Sequence, residues 1–245
     1  MVDAIFEQPR LAQIYDAVDA DRSDLAAYVA VVDELGAQVI VDVGCGTGTF
    51  ASLLAQQGRD VIGIDPAAAS LAVARTKPGA DRVQWLQGSA SSLPAARNDL
   101  VTMTGNVAQV FLSDAEWTSA LRATRAALRP GGFFVFEVRD PSRRDWERWT
   151  REASYRRFEV ADRETVETWV DVTDVRLPFV SFQHSFVFAS DGAILTSEST
   201  LRFRERAEIL DSLGRAGFVV RDVRDAPDRP GLELVFIAQR AAADR

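Results

Sequence analysis

The stretch "VIVDVGCGTGTFASLLAQQG", residues 39–58, joins two different periodicities. A β-branched apolar run breaks into glycines at 44, 46 and 48, and apolar residues then return at helical spacing through Phe50, Leu53 and Leu54. This reads as a strand, a tight loop and a helix. Three alternating residues without side chains serve a loop in which bare backbone approaches another body or must turn left-handed. The dinucleotide fingerprint is G-x-G-x-x-G, but here the third glycine comes one position early, in "GCGTG". A phosphate P-loop is disfavoured as well, because Thr49 and Phe50 stand where a Lys-Ser/Thr pair would follow.

Outward from the loop, short apolar runs alternate with helical stretches as far as residue 138. The runs are "QVIVDVG", "DVIGID", "VQWLQG", "LVTMTGN" and "GFFVFEV", and "TFASLLAQQG", "AAASLAVART" and "DAEWTSALRATRAALRPGG" lie between them. Right-handed crossovers of this kind give a doubly wound, mostly parallel α/β sheet, with its ligand beyond the carboxyl ends of the strands near the first one. The glycines lie at that end. Gly58 and Pro130-Gly131-Gly132 punctuate two of the helices, the second carrying Arg125 and Arg129 in its last turn.

After Asp140 the pattern changes. A polar, aromatic tract over 141–164 precedes "TVETWVDVTDV", "FVSFQHSFVFAS" and "AILTSESTLRF", which alternate with period two, with "SDGA" as a hairpin turn. An antiparallel insertion after the fifth strand is expected, and then a helix near 204–215 and strands "FVVRDV" and "LELVFIAQ" completing a seven-stranded sheet. Four segments follow: an N-terminal helical cap over 1–36, a ligand-binding core over 37–140, the insertion over 141–203 as a substrate cover, and the return helix and last strands over 204–245.

Bulk composition limits the ligand. The 245 residues are 47% hydrophobic and 26% charged, which suits a globular fold. A net charge of -8 opposes a polyphosphate backbone, so nucleic acid is not the expected partner. All but one of the 28 basic residues are arginine, without a basic stripe. One cysteine and one histidine exclude an internal disulfide and are too few for a dedicated zinc site. No leader pattern or apolar membrane span is visible, so a cytoplasmic protein with no membrane partner is expected; association into a homodimer is left open.

Two acids narrow the choice further. Asp42 precedes the first glycine by two residues, where a carboxylate repels pyrophosphate and attracts an ammonium or sulfonium. Asp65 closes the second strand, where a carboxylate accepts both ribose hydroxyl protons.

"VDVGCGTGTF", "GIDPA", "DLVTMTGNV" and "ALRPGGFFVFE", in this order and spacing, resemble class I S-adenosylmethionine-dependent methyltransferases with their Rossmann-like sheet, over roughly residues 10 to 140. The insertion and the "YD" near the N-terminus are more like small-molecule members of the amino-sugar and glycine N-methyltransferase type. The resemblance implies S-adenosyl-L-methionine as cofactor. Gly44, Cys45 and Gly46 would pass its methionine end, Asp42 would reach the ammonium, Asp65 would grip the ribose and Pro66 would pack near the adenine. Ser89, with Ala90 beside it, stands where relatives often carry an acid for the adenine amino group. Thr104, Gly105 and Asn106 would lie along the methionine portion, with Asn106 also a catalytic candidate. Val110 replaces a frequent histidine, which leans toward N-methylation. Tyr15 would close over the methyl and carboxylate end, and Arg22 would pair with the carboxylate.

Blander roles compete with some of these. Cys45 is a small loop residue rather than a nucleophile, since no histidine is close in sequence to activate it. His184 shares a face with Val180, Phe182, Phe186 and Phe188; it is either a core residue or, if that face roofs the pocket, the catalytic proton acceptor. Trp146, Trp149, Tyr155 and Phe158 are either insertion core or pocket wall. The expected reaction is methyl transfer to a nitrogen or oxygen of a small molecule. The alternatives are a catalytically silent domain that binds S-adenosylmethionine or S-adenosylhomocysteine, and a nicotinamide-dependent oxidoreductase.

Overall fold

The opening run forms β1 (Val39–Val43), buried at every position but its first, and a helix, α4 (Thr49–Gln56), follows the glycine loop. The structure, a computed structural model, describes residues 2–18, 20, 22, 24–93, 97–160 and 164–241. Positions 1, 19, 21 and 23 of the expected cap, 94–96 of the expected core, 161–163 of the insertion tract and 242–245 of the last segment lie outside these.

Strand β1 is flanked by parallel neighbours, β2 (Asp60–Asp65) and β4 (Asn98–Met103), with β3 (Val83–Gln87) beyond β2 and β5 (Leu128–Arg139) beyond β4. Strand β11 (Glu233–Arg240) runs antiparallel to both β5 and the edge strand β10 (Phe218–Asp225). The seven-stranded order is β10-β11-β5-β4-β1-β2-β3. Because β1 runs to β2 on one side and the chain later returns on its other side at β4, the switch point lies at the carboxyl end of β1.

Each face of the sheet buries one apolar cluster. Val101, Met103, Phe134 and Phe136 pack against α6 (Asp114–Ala127) and α7 (Arg206–Arg215) on one face, through Trp117, Leu121, Ile209 and Leu213. Ile40, Leu100 and Val135 pack on the other against α3 (Asp24–Glu34) and α4, through Tyr28, Val32, Phe50 and Leu54. A Ser113–Glu116 capping box starts α6. That helix closes at Ala127, short of the Pro-Gly-Gly: Leu128 is already extended and pairs with Asn98, so Arg129 lies on β5 and not in the last turn.

The insertion is a second antiparallel sheet, β6 (Arg156–Glu159), β7 (Thr165–Arg176), β8 (Phe179–Phe188) and β9 (Ile194–Arg202), in that order. The polar reading of 141–164 missed β6; only Phe158 on that short edge strand joins a core, so it carries little apolar signal. Two N-terminal helices, α1 (Ala4–Glu7) and α2 (Pro9–Val18), bury Ile5, Leu11 and Ile14 against Val166, Phe186 and Phe188 of this sheet. They also reach the short helix α5 (Ala68–Ala74), where Ser70 Oγ donates to the Phe6 carbonyl at 2.9 Å and Glu7 Oε2 accepts the Ala68 N–H at 2.9 Å. No helix among the described residues is long and apolar enough to cross a membrane.

Candidate functional site

Gly44, Gly46 and Gly48 all adopt left-handed backbone, with φ of +71°, +52° and +76°. Their surroundings differ. A Cβ on Gly44 would strike the Val107 side chain, and one on Gly48 would strike the Trp85 ring and come within 2.8 Å of Ala74. A Cβ on Gly46 would meet nothing within 4 Å. The outer two glycines are therefore required by packing, and the middle one leaves its backbone open.

The acids brace this loop from below. Asp65, 7% exposed, accepts the Gly46 N–H through Oδ2 and the Ala67 N–H through Oδ1, both at 2.8 Å. Burial holds its carboxyl above the usual range, against those two bonds. Asp42 is 1% exposed and receives the Thr102 hydroxyl at 2.8 Å. Burial, reinforced by Asp65, pushes its carboxyl up to about 7, so an approaching cation would be met by a group ready to release its proton. Burial pushes the Cys45 thiol up too, with Asp42 and Asp65 adding to it, which agrees with a small loop residue rather than a nucleophile.

On the far side of the switch point, Thr104 and Gly105 follow β4, and Asn106 turns left-handed at φ +63° while 7% exposed. Glu137, the lone acid in the apolar "GFFVFEV", accepts the Gly105 N–H at 2.6 Å and the Asn106 N–H at 3.2 Å. Burial and the nearby Glu233 raise Glu137 to about 8. Asn106 Nδ2 donates to Glu233 Oε1 at 3.2 Å, and its Oδ1 is buried without a partner. Arg139 continues the cluster, 2.7 Å from Asp145 and stacked 5.0 Å from the Trp149 ring. Trp149 then meets Phe182 edge-on at 5.0 Å, and Phe182 meets His184 at 5.6 Å. These contacts link Asn106 to the inner face of the second sheet.

His184 does share its face with Val180, Phe182, Phe186 and Phe188. That strip is covered at one end by α1 and α2 and at the other by Trp146 and Phe203, while Phe182 and His184 between them are only half-buried. Burial lowers His184 to about 4, and its Nδ1 has no partner among the described residues. The ring is thus a neutral imidazole at physiological pH, better suited to accept a hydrogen bond than to carry away a proton.

Tyr15 is half-buried, with its ring 5.4 Å from Phe6, and Arg22 pairs with Asp24 at 3.2 Å. Between them, Asp16 receives the Thr47 hydroxyl at 2.6 Å and pairs with Lys77 at 2.6 Å, so α2 is tied directly to the glycine loop. Pro66, Ser89 and Val110 are exposed and Ala90 is buried; Ser89 caps a turn by accepting the Ser91 N–H. Trp146 is buried against Val180 and Phe203, Phe158 packs with the helical cap, and Tyr155 is 45% exposed. The sequence reading passed over Glu137, Glu233, Arg139 and the Asp16–Lys77 pair. A signal existed for the first two: each is the single acid of its strand, Glu137 within the apolar run "GFFVFEV" and Glu233 at the head of "ELVFIA".

The features fit a compound carrying an adenosine and a cationic amino-acid end. They comprise an unobstructed Gly46, an acid clamping it at the end of β2, a buried acid under the loop and an amide oxygen across from it with no partner among the described residues. A family profile described as a methyltransferase domain matches residues 40–132, the segment that builds the loop and both acids. The chain is 30% identical over 169 residues to an uncharacterized methyltransferase of Geobacillus thermodenitrificans, covering 67% of this chain and 77% of that one. It is 31% identical over 148 residues to the ubiquinone/menaquinone biosynthesis C-methyltransferase UbiE of Rubrivivax gelatinosus, covering 55% and 57%. The chain spans about half the length of the first curated relatives it matches. Among solved structures, that of SAM-bound CalS10, an amino pentose methyltransferase from Micromonospora echinaspora, superposes with a TM-score of 0.72 at 24% identity, covering 94% of this chain and 97% of that one; the likeness is one of fold. Loop, acids, sheet order and relatives agree: the chain belongs to the class I S-adenosylmethionine-dependent methyltransferases.

Proposed function

We propose that this protein transfers a methyl group from S-adenosylmethionine to a nitrogen or oxygen of a small molecule held between the main sheet and the insertion. The observation that carries this reading is Gly46, left-handed, unobstructed at its Cβ position and clamped from below by Asp65. Gly44, Cys45 and Gly46 would hold the methionine end with Asn106 and Thr104 opposite, and Asp42 would meet the ammonium. Asp65 would hold the ribose, with Pro66, Ser89 and Ala90 toward the adenine, and Val110 would lie close to the methionine portion. Tyr15 and Arg22 would close the methionine end.

When bound, the cofactor supplies a methyl activated by a sulfonium. The protein's task is then to orient the nucleophile in line and keep water out, and orientation alone contributes ~7 kcal/mol or more in favourable intramolecular models. His184 and Asn106 are the catalytic candidates. Because burial keeps His184 neutral, its part is to orient the acceptor by accepting a hydrogen bond. An amine that arrives uncharged asks no more than this, which favours nitrogen over oxygen. The amino pentose acceptor class of the structural neighbour is in keeping with that preference.

The test is calorimetric titration of the purified protein with S-adenosylhomocysteine and, in parallel, NADH, followed by turnover to S-adenosylhomocysteine across a panel of small amines and alcohols. Binding of S-adenosylhomocysteine alone, with turnover on an amine, is expected. Tight binding with no turnover on any acceptor would favour the silent domain, and preference for NADH would overturn the proposal.

A further inference from the structure

Asn106 occupies an unusual position: a nearly buried amide with one end satisfied and the other not. Nδ2 donates to Glu233 Oε1 at 3.2 Å, whereas Oδ1 is buried with no partner among the described residues. The two ends of an amide are chemically distinct, one donating and one accepting. Glu233 is 1% exposed, takes the Arg229 guanidinium on the same oxygen at 2.7 Å and lies 3.7 Å from Arg139. Glu233 Oε1 already faces two guanidinium groups as an acceptor, and a carboxylate oxygen so placed takes the NH2 end of the amide. The carbonyl end is thereby turned away from Glu233.

The backbone is held independently. Glu137 anchors the Gly105 and Asn106 N–H groups, and Val107, the next residue, occupies the place a Gly44 side chain would need. The amide therefore sits across the switch point from the glycine loop, with its orientation set from β11 and its position set from β5. An unpartnered buried carbonyl oxygen costs free energy until a donor reaches it. It accepts an N–H and repels a carboxylate.

We infer that Glu233 is a positioning residue that orients Asn106 so that Oδ1 receives an N–H of the cofactor's α-ammonium. This rests on the cofactor reading above and assigns a role to a strand outside the motifs of that reading. Asn106 makes the contact; Glu233 acts only through it.

The experiment compares two probes on the full chain by calorimetry. One is S-adenosylhomocysteine; the other is 5′-deoxy-5′-methylthioadenosine, which keeps the adenosine and thioether but lacks the amino-acid end. Glu233→Gln can present its own NH2 and releases the amide to flip. It is expected to weaken S-adenosylhomocysteine about tenfold and leave methylthioadenosine unchanged. Asn106→Gly, which keeps the left-handed backbone at no steric cost, is expected to do the same. The double variant should bind no more weakly than Asn106→Gly alone. Equal losses for both probes, or a full additional loss in the double variant, would show that Glu233 acts through general structure and overturn the inference. If Glu233→Gln does not fold, Asn106→Gly decides alone: unchanged S-adenosylhomocysteine affinity refutes the acceptor role. A wild-type protein that binds neither probe refutes the cofactor reading itself, an outcome distinct from variants that behave as wild type.

Discussion

The Asp65 carboxylate accepts the Gly46 backbone N–H at 2.8 Å, so the acid proposed for the ribose is also the clamp that holds the glycine loop. Under the proposed ribose role, one side chain would couple the shape of the loop to the recognition of the sugar. Its other oxygen holds the Ala67 N–H at the entry to α5, and each oxygen keeps a second lone pair for a hydroxyl.

Replacing Asp65 with alanine is therefore expected to cost more than the ribose contact. The loss should be about 1–3 kcal/mol of S-adenosylhomocysteine affinity from unpaired groups, together with a lower melting temperature. Asp65→Asn keeps one acceptor oxygen and should fall between. Calorimetry and thermal melts on both variants check this; an Asp65→Ala protein that binds as wild type would remove the ribose assignment.

The three glycines should separate by kind of damage. Gly48→Ala meets Trp85 and Ala74 and is expected to destabilise the fold, whereas Gly46→Ala meets no side chain. Its left-handed backbone costs about 1–2 kcal/mol, and its methyl stands where the ligand approaches. Melting curves should drop most for Gly48→Ala, and cofactor affinity should suffer most, relative to stability, in Gly46→Ala.

Asp42 links stability to pH. The unfolded carboxyl ionises near 3.8 and the folded one near 7, so the unfolded chain releases its proton first and folded stability falls as pH rises through that window. Asp42→Asn, which still accepts the Thr102 hydroxyl, is expected to raise the stability of the ligand-free protein at pH 8, by about 4 kcal/mol at most, while weakening S-adenosylmethionine. In the wild type, cofactor binding near neutral pH should release protons, because the ammonium favours the ionised acid. Calorimetry in two buffers of different ionisation enthalpy measures that release, and identical heats in both would contradict it.

His184 works in the opposite sense. The unfolded imidazole takes a proton near 6.5 and the folded one near 4, so folded stability is complete above 6.5 and is lost as pH falls toward 4, by about 3 kcal/mol in full. His184→Phe should flatten this acid limb in pH-dependent melts. If the ring orients the acceptor, the same variant should lose turnover with cofactor affinity unchanged; full activity would return His184 to the core.

Lys77, the single lysine, is expected to latch the cap. Its ammonium bridges Asp16 of α2 and the Thr47 and Thr49 hydroxyls at the loop, and Asp16 adjoins Tyr15. Lys77→Met should raise the KM for S-adenosylmethionine several-fold with little change in melting temperature, since a half-buried ion pair adds modestly to stability. A variant with unchanged KM and a collapsed melting point would show that the pair is structural.

The strand, loop and helix over 39–58 were legible because they rest on local properties: a run of β-branched residues, glycines free to turn left-handed, and apolar spacing suited to a helix. The period-two insertion was legible for the same reason, down to the shared face of His184 and Phe182. Segments with mixed signals were not. The edge strand at 156–159 carries one apolar residue into a core, and the start of β5 contains a Pro-Gly-Gly that resembles a helix stop.

By itself, then, the sequence determined the elements, their alternation and the two acids flanking a glycine loop, because backbone preference and side-chain periodicity act between near neighbours. Tertiary structure decided what those groups can do. Asp42 meets Thr102 and Asn106 meets Glu233 only because β1 lies beside β4 and β11 beside β5, bringing together residues 60 and 127 positions apart. Burial, which raises Asp42 and Glu137 and lowers His184, belongs to that arrangement and not to any stretch of chain.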